Sequence, residues 1–437
     1  MNNGVSSSHL VLPHKYAMGE PHSYMVTEVL TEVDAMPDNG GMSQNGHLKW
    51  KINEPKEVLN ENGKRIYLKL FGKLVISLVC GIVFGFAMEK GRVFDPRVIR
   101  GQFIFTKFVM LKMFLAAGVM SLFLMGILSV IPQTKTLLQV TRISLVSTYS
   151  TKGLLTTTAG GFILGVGMQL SGSCPAMVLV QVGTAVGNGS ACVTLVAGLL
   201  GAFVYGLVEP YLTKLLSPKK PLNRLLLDDY LPIPFFVLTS AVGFLMVAAV
   251  VGLEFAYPWK EEVQIGNETV GCLFSEFAWP PYVSGVIIGC LQVPLILFIG
   301  NTIGGSQSYC TIVSQLLFTE RLRAISPYLS PYARGIGNWW QVFYVIGAIL
   351  GGLFSALASD SIASVPGVGY AFSFVGGFCC IFGARLAAGC TSGHGLSGIG
   401  SLSLLSFAAV PSMFAGGISA GFIMKFSVGN IDDYYSI

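Results

Sequence analysis

Three short stretches of small and polar residues, each reaching a cysteine, are the part of this sequence that could do chemistry. They read GSCP at 172–175, GGSQSYCT at 304–311 and GCTSGHG at 389–395. A thiol is a soft and weak hydrogen-bond donor, so these cysteines could contact a passing anion and would suit a sulfur-containing one. The nine cysteines of the chain show no CxxC pair and no cysteine–histidine metal spacing. The sequence therefore predicts no disulfide scaffold, metal site, cofactor or catalytic residue.

The first and third stretches lie at equivalent places in two related segments. With an offset of 216 residues, 160–174 and 376–390 share six identities in fifteen positions and end at Cys174 and Cys390. Interrupted apolar segments at corresponding places in two halves indicate the binding site of a transporter. Cys310 joins these two cysteines on spacing alone.

Helix breaks at these points would create sites for an anion. Pro175 suits the first position of a new helix, with Ser173 or Cys174 as the cap. Free N–H groups and the positive dipole end of such a helix attract negative charge. The predicted substrate contacts are Gly172, Ser173, Cys174, Cys310, Gly389, Cys390, Thr391, Ser392 and His394. For His394, a core histidine with satisfied hydrogen bonds is an equally weighted alternative.

Membrane-spanning helices must position these stretches. Of the 437 residues, 52% are hydrophobic and 11% are charged, whereas soluble domains carry roughly 25% charged residues. Apolar runs of about 20 residues recur along the chain. The predicted fold is an all-α polytopic membrane protein with roughly nine spans, two inverted repeats and broken or re-entrant helices.

Charge and apolar runs divide the chain into five parts. The predicted parts are a disordered cytosolic tail (1–66), a first transmembrane repeat (67–231), a linking span with an outside loop (232–280), a second repeat (281–426) and a C-terminal tail (427–437). A single linking span would turn the second half upside down relative to the first.

Loop charge predicts which side of the membrane each loop faces. The loops 210–231 and 319–335 are basic, which places them in the cytosol. The loop 253–280 is acidic and contains an Asn-Glu-Thr glycosylation sequon, which places it outside. Residues 132–156 are expected to form a further loop.

The acidic residues indicate the charge of the substrate. From residue 69 onward there are 14 of them, and none falls in the middle of a predicted span. Carriers coupled to protons or cations usually bury carboxylates there. The substrate is therefore expected to be uncharged or anionic. Weak donors such as thiols should carry a dianion better than arginine, which would hold it too firmly.

The segments 160–175, 300–311 and 376–398 resemble the YeeE/YedE family of sulphur-compound transporters, whose characterised members take up thiosulfate. The resemblance implies an hourglass-shaped multi-pass protein of the plasma membrane, not an enzyme, in which Cys174, Cys310 and Cys390 relay the ion. Its partners would be a small sulfur anion, the lipid bilayer and an intracellular sulfur-handling protein. The family often carries a cysteine after Gly-Arg near the first span, where this chain has Val93.

Two alternatives to thiosulfate transport remain open at this point. One is a carrier of another sulfur or selenium compound. The other is a membrane thiol enzyme, such as a sulfurtransferase or a redox partner, which would need an activated thiolate beside a base. Cys390 and His394, four residues apart, are the candidate pair for that chemistry.

Overall fold

The computed structural model describes residues 62–150, 152–216, 225–263, 276–317, 319–333 and 337–428. Nearly all of the predicted tails, 1–66 and 427–437, lies outside the described residues. Within them the regular structure is helical, and one isolated β-bridge pairs Leu226 with Ser403.

The main helices of the described ranges are numbered here in chain order. They are α1 (Asn62–Lys90), α2 (Pro96–Phe103), α3 (Val109–Val130), α4 (Pro132–Ser150), α5 (Gly153–Ser171), α6 (Met177–Gly183), α7 (Ser190–Leu216), α8 (Phe235–Ala256), α9 (Pro281–Cys290, whose crossing continues to Ile299), α10 (Ser306–Ser314), α11 (Trp339–Ala358), α12 (Tyr370–Leu386) and α13 (Leu404–Val428). In the described ranges, eight are long and apolar enough to cross a membrane, and α12 is a shorter apolar helix. The chain is an all-α multi-pass membrane protein, as the sequence predicts.

The segment 132–156 is mostly helical, so its prediction as a loop is wrong. Leu138, Arg142 and Tyr149 fall on one face of α4, and all three are buried. The polar composition of the segment suggested a loop, whereas the helical spacing of its buried residues indicates an amphipathic helix.

The long helices pack in pairs, each between one helix of the first half and one of the second. Each pair has a counterpart in which the two halves are swapped. α1 packs against α11, as α9 packs against α3. In the same way α5 packs against α13, as α12 packs against α7. The equivalent helices α5 and α12 also pack against each other, and the linking helix α8 packs against α3.

Two glycine pairs form the crossing of α5 and α12. A Cβ atom at Gly160 would lie 2.8 Å from the carbonyl oxygen of Gly383, and one at Gly167 would lie 2.8 Å from that of Gly376. Small residues of this kind let membrane helices approach closely. The contacts on α12 move backward as those on α5 move forward, so the two helices run antiparallel. Under the offset of 216 residues Gly160 corresponds to Gly376 and Gly167 to Gly383, so one glycine pair is equivalent to the other.

Polar contacts join the helix termini at one end of the bundle, here called the Glu89 end. The buried Glu89 accepts a hydrogen bond from the hydroxyl of Ser361 at 3.0 Å. Lys90 donates to the carbonyl oxygen of Glu276 at 2.8 Å. The described part of 253–280 therefore lies at this end.

The opposite end is here called the Glu209 end. Lys152 forms an ion pair with Glu209, and the Ser326 hydroxyl donates to the Gly206 carbonyl oxygen at 2.7 Å. The described part of 319–335 lies here, away from 253–280. In the described ranges, carboxylates lie toward one end or the other, which accords with the expectation drawn from the sequence.

Candidate substrate site at the helix breaks

The first break separates α5 from α6. Gly172 ends α5 with a left-handed backbone (φ 60°), and a Cβ atom there would lie 2.5 Å from the Cβ of Pro96. Both the conformation and the space require glycine at this position. The Gln181 side chain donates to the Gly172 carbonyl oxygen at 3.0 Å and fixes the turn.

The new helix starts later than the sequence predicts. α6 begins at Met177, has seven residues and makes no side-chain cap hydrogen bond. The Cys174 carbonyl oxygen instead accepts from the amides of Met177 at 3.0 Å and Val178 at 3.1 Å. Ser173 donates its hydroxyl to Ser171 at 3.2 Å. The expected side-chain cap by Ser173 or Cys174 is therefore wrong, because a backbone carbonyl already takes these N–H groups.

The second break follows α12, which ends at Leu386. Ala388 has a left-handed backbone (φ 64°), and the chain is helical again over 391–400, with a π-helix at Gly393–Gly398. Cys390 therefore lies at the start of a new helical segment, as expected. Its Sγ is 3.2 Å from the Ser392 hydroxyl oxygen. Gly389, also a predicted contact, packs against the His394 ring.

His394 is fully buried and stabilises this break. Its Nε2 lies 3.0 Å from the Ala387 carbonyl oxygen, and its Nδ1 lies 3.0 Å from the Ser406 hydroxyl. A carbonyl only accepts, so in the neutral ring Nε2 donates and Nδ1 accepts from Ser406. The ring also stacks on Tyr149 with centroids 4.5 Å apart. This arrangement corresponds to the core-histidine alternative and leaves no free ring N–H for a substrate.

The third break, between α9 and α10, is bound to the second one. The Ser397 hydroxyl of the π-helix donates to the Ile303 carbonyl oxygen at 2.8 Å. Gln292 donates to Ser397 at 2.9 Å and accepts from the Ile303 amide at 3.2 Å. Cys310 lies in the second turn of α10 rather than in the break itself.

The three predicted thiols lie in one connected interior region. Thr391 of the second break lies close to the Cys174 thiol of the first, and both line one cavity. Ser306, at the start of α10, lies close to Cys390. The thiols of Cys174, Cys310 and Cys390 are 3%, 0% and 0% exposed, so the region is closed in this conformation.

A small cavity leads to this region and is lined mainly by apolar side chains. Met88, Met110 and Met113 form part of its wall. Cys174 and Thr391 lie on its wall as well, together with Ser392. Met88 belongs to the last turn of α1, so the cavity lies on the side of the Glu89 end.

Arg385 belongs to the same region, although the sequence analysis did not select it. Its side chain is 2% exposed, and its guanidinium donates to the Ser306 hydroxyl at 2.8 Å. It also lies close to the Cys310 thiol. The sequence argument considered only the acidic residues of the spans. The basic charge of Arg385 inside the apolar 376–398 motif was the signal that could have identified it.

Metal and disulfide chemistry find no support in the described residues. The eight cysteines described are free thiols, and no group of three metal-ligating side chains occurs among the described residues. Cys380 of α12 reaches the first break with its Sγ 3.5 Å from the Ser173 carbonyl oxygen.

A multi-pass helical protein whose broken helices meet around buried polar groups has the architecture of a membrane transporter. Residues 90–419 match the family described as "Sulphur transport". The chain belongs to this family and is therefore a transporter of sulfur compounds, not an enzyme. Both His394 ring nitrogens are also occupied by Ala387 and Ser406. This argues against His394 acting as the base of a catalytic Cys390–His394 pair.

Two relatives give the range of similarity. The thiosulfate transporter TsuA of Escherichia coli K12 is 23% identical over 353 residues, which are 75% of this chain and 88% of that protein. A probable transporter of Xylella fastidiosa (strain 9a5c) is 29% identical over 147 residues, which are 33% of this chain and 94% of that protein.

Proposed function

We propose that this protein takes up thiosulfate across the plasma membrane along a path lined by Cys174, Cys390 and Cys310. One observation carries the proposal: the thiols of Cys174 and Cys390, at two helix breaks, and of Cys310, in the helix after a third, are buried in one cluster of the core. The similarity to a protein named as a thiosulfate transporter supports the choice of substrate.

The order of contacts gives the path a direction. The methionine-lined cavity on the side of the Glu89 end reaches Cys174 first. In the proposed order Cys390 follows, and Cys310, close to Tyr328, comes last. Tyr328 packs against Tyr205 with ring centroids 5.1 Å apart, near Lys152 at the Glu209 end. Uptake then runs from the Glu89 end to the Glu209 end, which the basic loops predict to be cytosolic.

The chemistry of the thiols suits this task. A divalent anion that enters a low-dielectric interior loses hydration that must be replaced by other donors. Transport also requires that each site release the ion to the next. Thiols and hydroxyls are weak donors, and soft sulfur atoms can contact the terminal sulfur of thiosulfate. A sequence of such contacts can pass the ion on without trapping it.

An inverted repeat explains the arrangement of the path. The equivalent helices α5 and α12 cross antiparallel, and the helix pairs repeat when the halves are exchanged. Cys174 and Cys390 would then be related by a pseudo-two-fold axis in the membrane plane. The constriction of the predicted hourglass would lie where the breaks meet. An intracellular sulfur-handling protein is the proposed recipient of the ion.

Transport by purified protein in liposomes tests the proposal. Cys390→Ala should abolish uptake of radiolabelled thiosulfate, and Cys390→Ser should restore part of it, because the hydroxyl is a harder donor of similar size. Cys174→Ala should also reduce uptake strongly. Cys192→Ala is the matched control, since this cysteine is exposed and away from the breaks.

Two results would contradict the proposal. Parent rates of uptake by correctly inserted Cys174→Ala and Cys390→Ala proteins would leave these cysteines only a packing role. Transport of selenate or sulfite, but not thiosulfate, would favour the other sulfur or selenium compounds. Recovery of chemically intact thiosulfate inside the liposomes would separate transport from the chemistry of a thiol enzyme.

A further inference from the structure

Arg385 differs from the other buried cations of the bundle in its partners. The other buried cations bind carboxylates or backbone carbonyls: Glu89 for Arg92, Glu254 and Glu262 for Lys112, Asp228 for Arg142, Glu209 for Lys152, the carbonyl of Glu276 for Lys90, and the carbonyls of Gln169 and Leu170 for Arg100. In the described part of the chain, no carboxylate forms an ion pair with Arg385. Its Nε, moreover, has no hydrogen-bond partner there.

A buried cation without a counter-ion is costly for a protein. An unpaired charge in a low-dielectric interior is strongly disfavoured relative to the same charge in water. Packing alone would not require it, because the aligned position in the first half is Gln169, which has no charge. Functional sites commonly retain such destabilising groups. The neighbours of Arg385 carry hydroxyls and thiols; they are Ser306, Cys310, Cys390, Tyr328 and Tyr332.

We infer that the Arg385 guanidinium binds the oxyanion end of the transported sulfur anion, while its soft sulfur end faces the thiols of Cys310 and Cys390. This inference rests on the proposed function and names the group that selects a charged substrate. The planar guanidinium matches the geometry of neighbouring oxygen atoms of an oxyanion. The Ser306 hydroxyl, which accepts from Arg385 at 2.8 Å, can donate its own hydrogen to the same ion.

Replacing Arg385 by the residue of the other half gives a sharp test. In Arg385→Gln the second half carries the side chain that the first half has at Gln169. A hydrogen bond to a charged group contributes about 1.5–3 kcal/mol. We therefore expect the KM for thiosulfate in liposomes to rise about 10- to 100-fold. Arg385→Lys keeps the positive charge but loses the planar, forked guanidinium. Its KM should therefore lie between those of the parent and Arg385→Gln.

The thermal stability of the protein without substrate is a second measurement. Its expected increase in the variant would not be seen if Arg385 had only a structural role. Removing an unpaired buried charge should raise the thermal stability of anion-free Arg385→Gln in detergent, and added thiosulfate should no longer stabilise it. Arg100→Gln is the structural contrast: it removes donors to two carbonyls at the end of α5, so the anion-free protein should lose stability. Arg97, which is partly exposed and forms an ion pair with Asp95, provides the control for the change in net charge. Arg97→Gln should behave like the parent.

The possible outcomes separate this inference from the proposed function. An unchanged KM and unchanged stabilisation by thiosulfate in Arg385→Gln would overturn the role of Arg385 and leave thiosulfate transport standing. If the parent protein responds to sulfite or sulfate but not to thiosulfate, the proposed substrate fails, and loss of that response in Arg385→Gln still supports the inference. A parent protein stabilised by none of these anions would overturn both. If Arg385→Gln does not insert, a parent-like KM in Arg385→Lys would overturn the inference.

Discussion

The crossing of α5 and α12 holds the first and second breaks together, and Gly383→Ala tests it. A Cβ atom at Gly383 would overlap the Leu164 amide nitrogen and would lie 2.7 Å from the Gly160 carbonyl oxygen and 2.9 Å from the Leu164 Cα. Ordinary contact begins near 3.4 Å. The helices would therefore have to separate by about 1 Å, and all three obstacles are backbone atoms that cannot rotate away.

The expected cost follows from this overlap. Overpacking of a close-packed interior costs about 1–3 kcal/mol. Alanine also gains up to about 1 kcal/mol over glycine in helix propensity. Gly252→Ala in α8 carries the same propensity gain without the overlap, since nothing lies within 4 Å of a Cβ atom there. The difference in unfolding free energy between the two variants isolates the packing cost of about 1–3 kcal/mol.

Denaturation of the purified variants in one detergent measures this difference. Gly383→Ala should unfold earlier than the parent, whereas Gly252→Ala should unfold at or above it. The double variant Gly160→Ala/Gly383→Ala should lose less than the sum of its single variants, because one separation of the helices relieves both overlaps. Equal stability of Gly383→Ala and Gly252→Ala would show that α5 and α12 do not make this crossing.

Three further predictions concern the topology, the tail and the second break. Cysteines introduced into 210–231 and 319–335 should react with impermeant reagents from one side and those in 253–280 from the other; labelling of 253–280 and 319–335 from the same side would refute the inverted repeat. Deletion of 1–60 should leave uptake in liposomes largely intact, and complete loss with normal insertion would assign the tail a part in transport. His394→Ala should destabilise the protein by about 1–3 kcal/mol for each polar group left unpaired, with lower Vmax and little change in KM; a large rise in KM at parent stability would instead make His394 a substrate contact.

Local composition was enough to predict the spans and the places where they break. A break needs glycine and small polar residues inside an apolar run, and both are visible in the sequence around Gly172 and Gly389. The repeat was visible because the crossing requires glycine at the same positions in both halves. Two of the six identities between 160–174 and 376–390, the glycines of this crossing, thus record one packing interface.

Features that depend on contacts between distant segments could not be predicted in the same way. The Cys174 carbonyl, rather than a side chain, takes the first amides of α6, and local sequence does not distinguish the two. The engagement of His394 depends on Ser406 and Ala387, which only the fold places on either side of the ring. Which buried cation has neither a carboxylate nor a backbone carbonyl as its partner in the described residues is likewise decided by the whole bundle. Arg385 therefore became visible as a candidate only once the partners of the other cations were known.

The presence of Arg385 changes the electrostatic argument that favoured thiols alone. A single guanidinium compensates one of the two charges of thiosulfate, so the bound site would still carry one negative charge. Residual negative charge weakens retention, which transport requires for release. The thiols of Cys310 and Cys390 add contacts to sulfur without adding charge. An arginine beside neutral, soft donors can thus select an anion and still let it go, whereas two arginines at the same place would favour trapping.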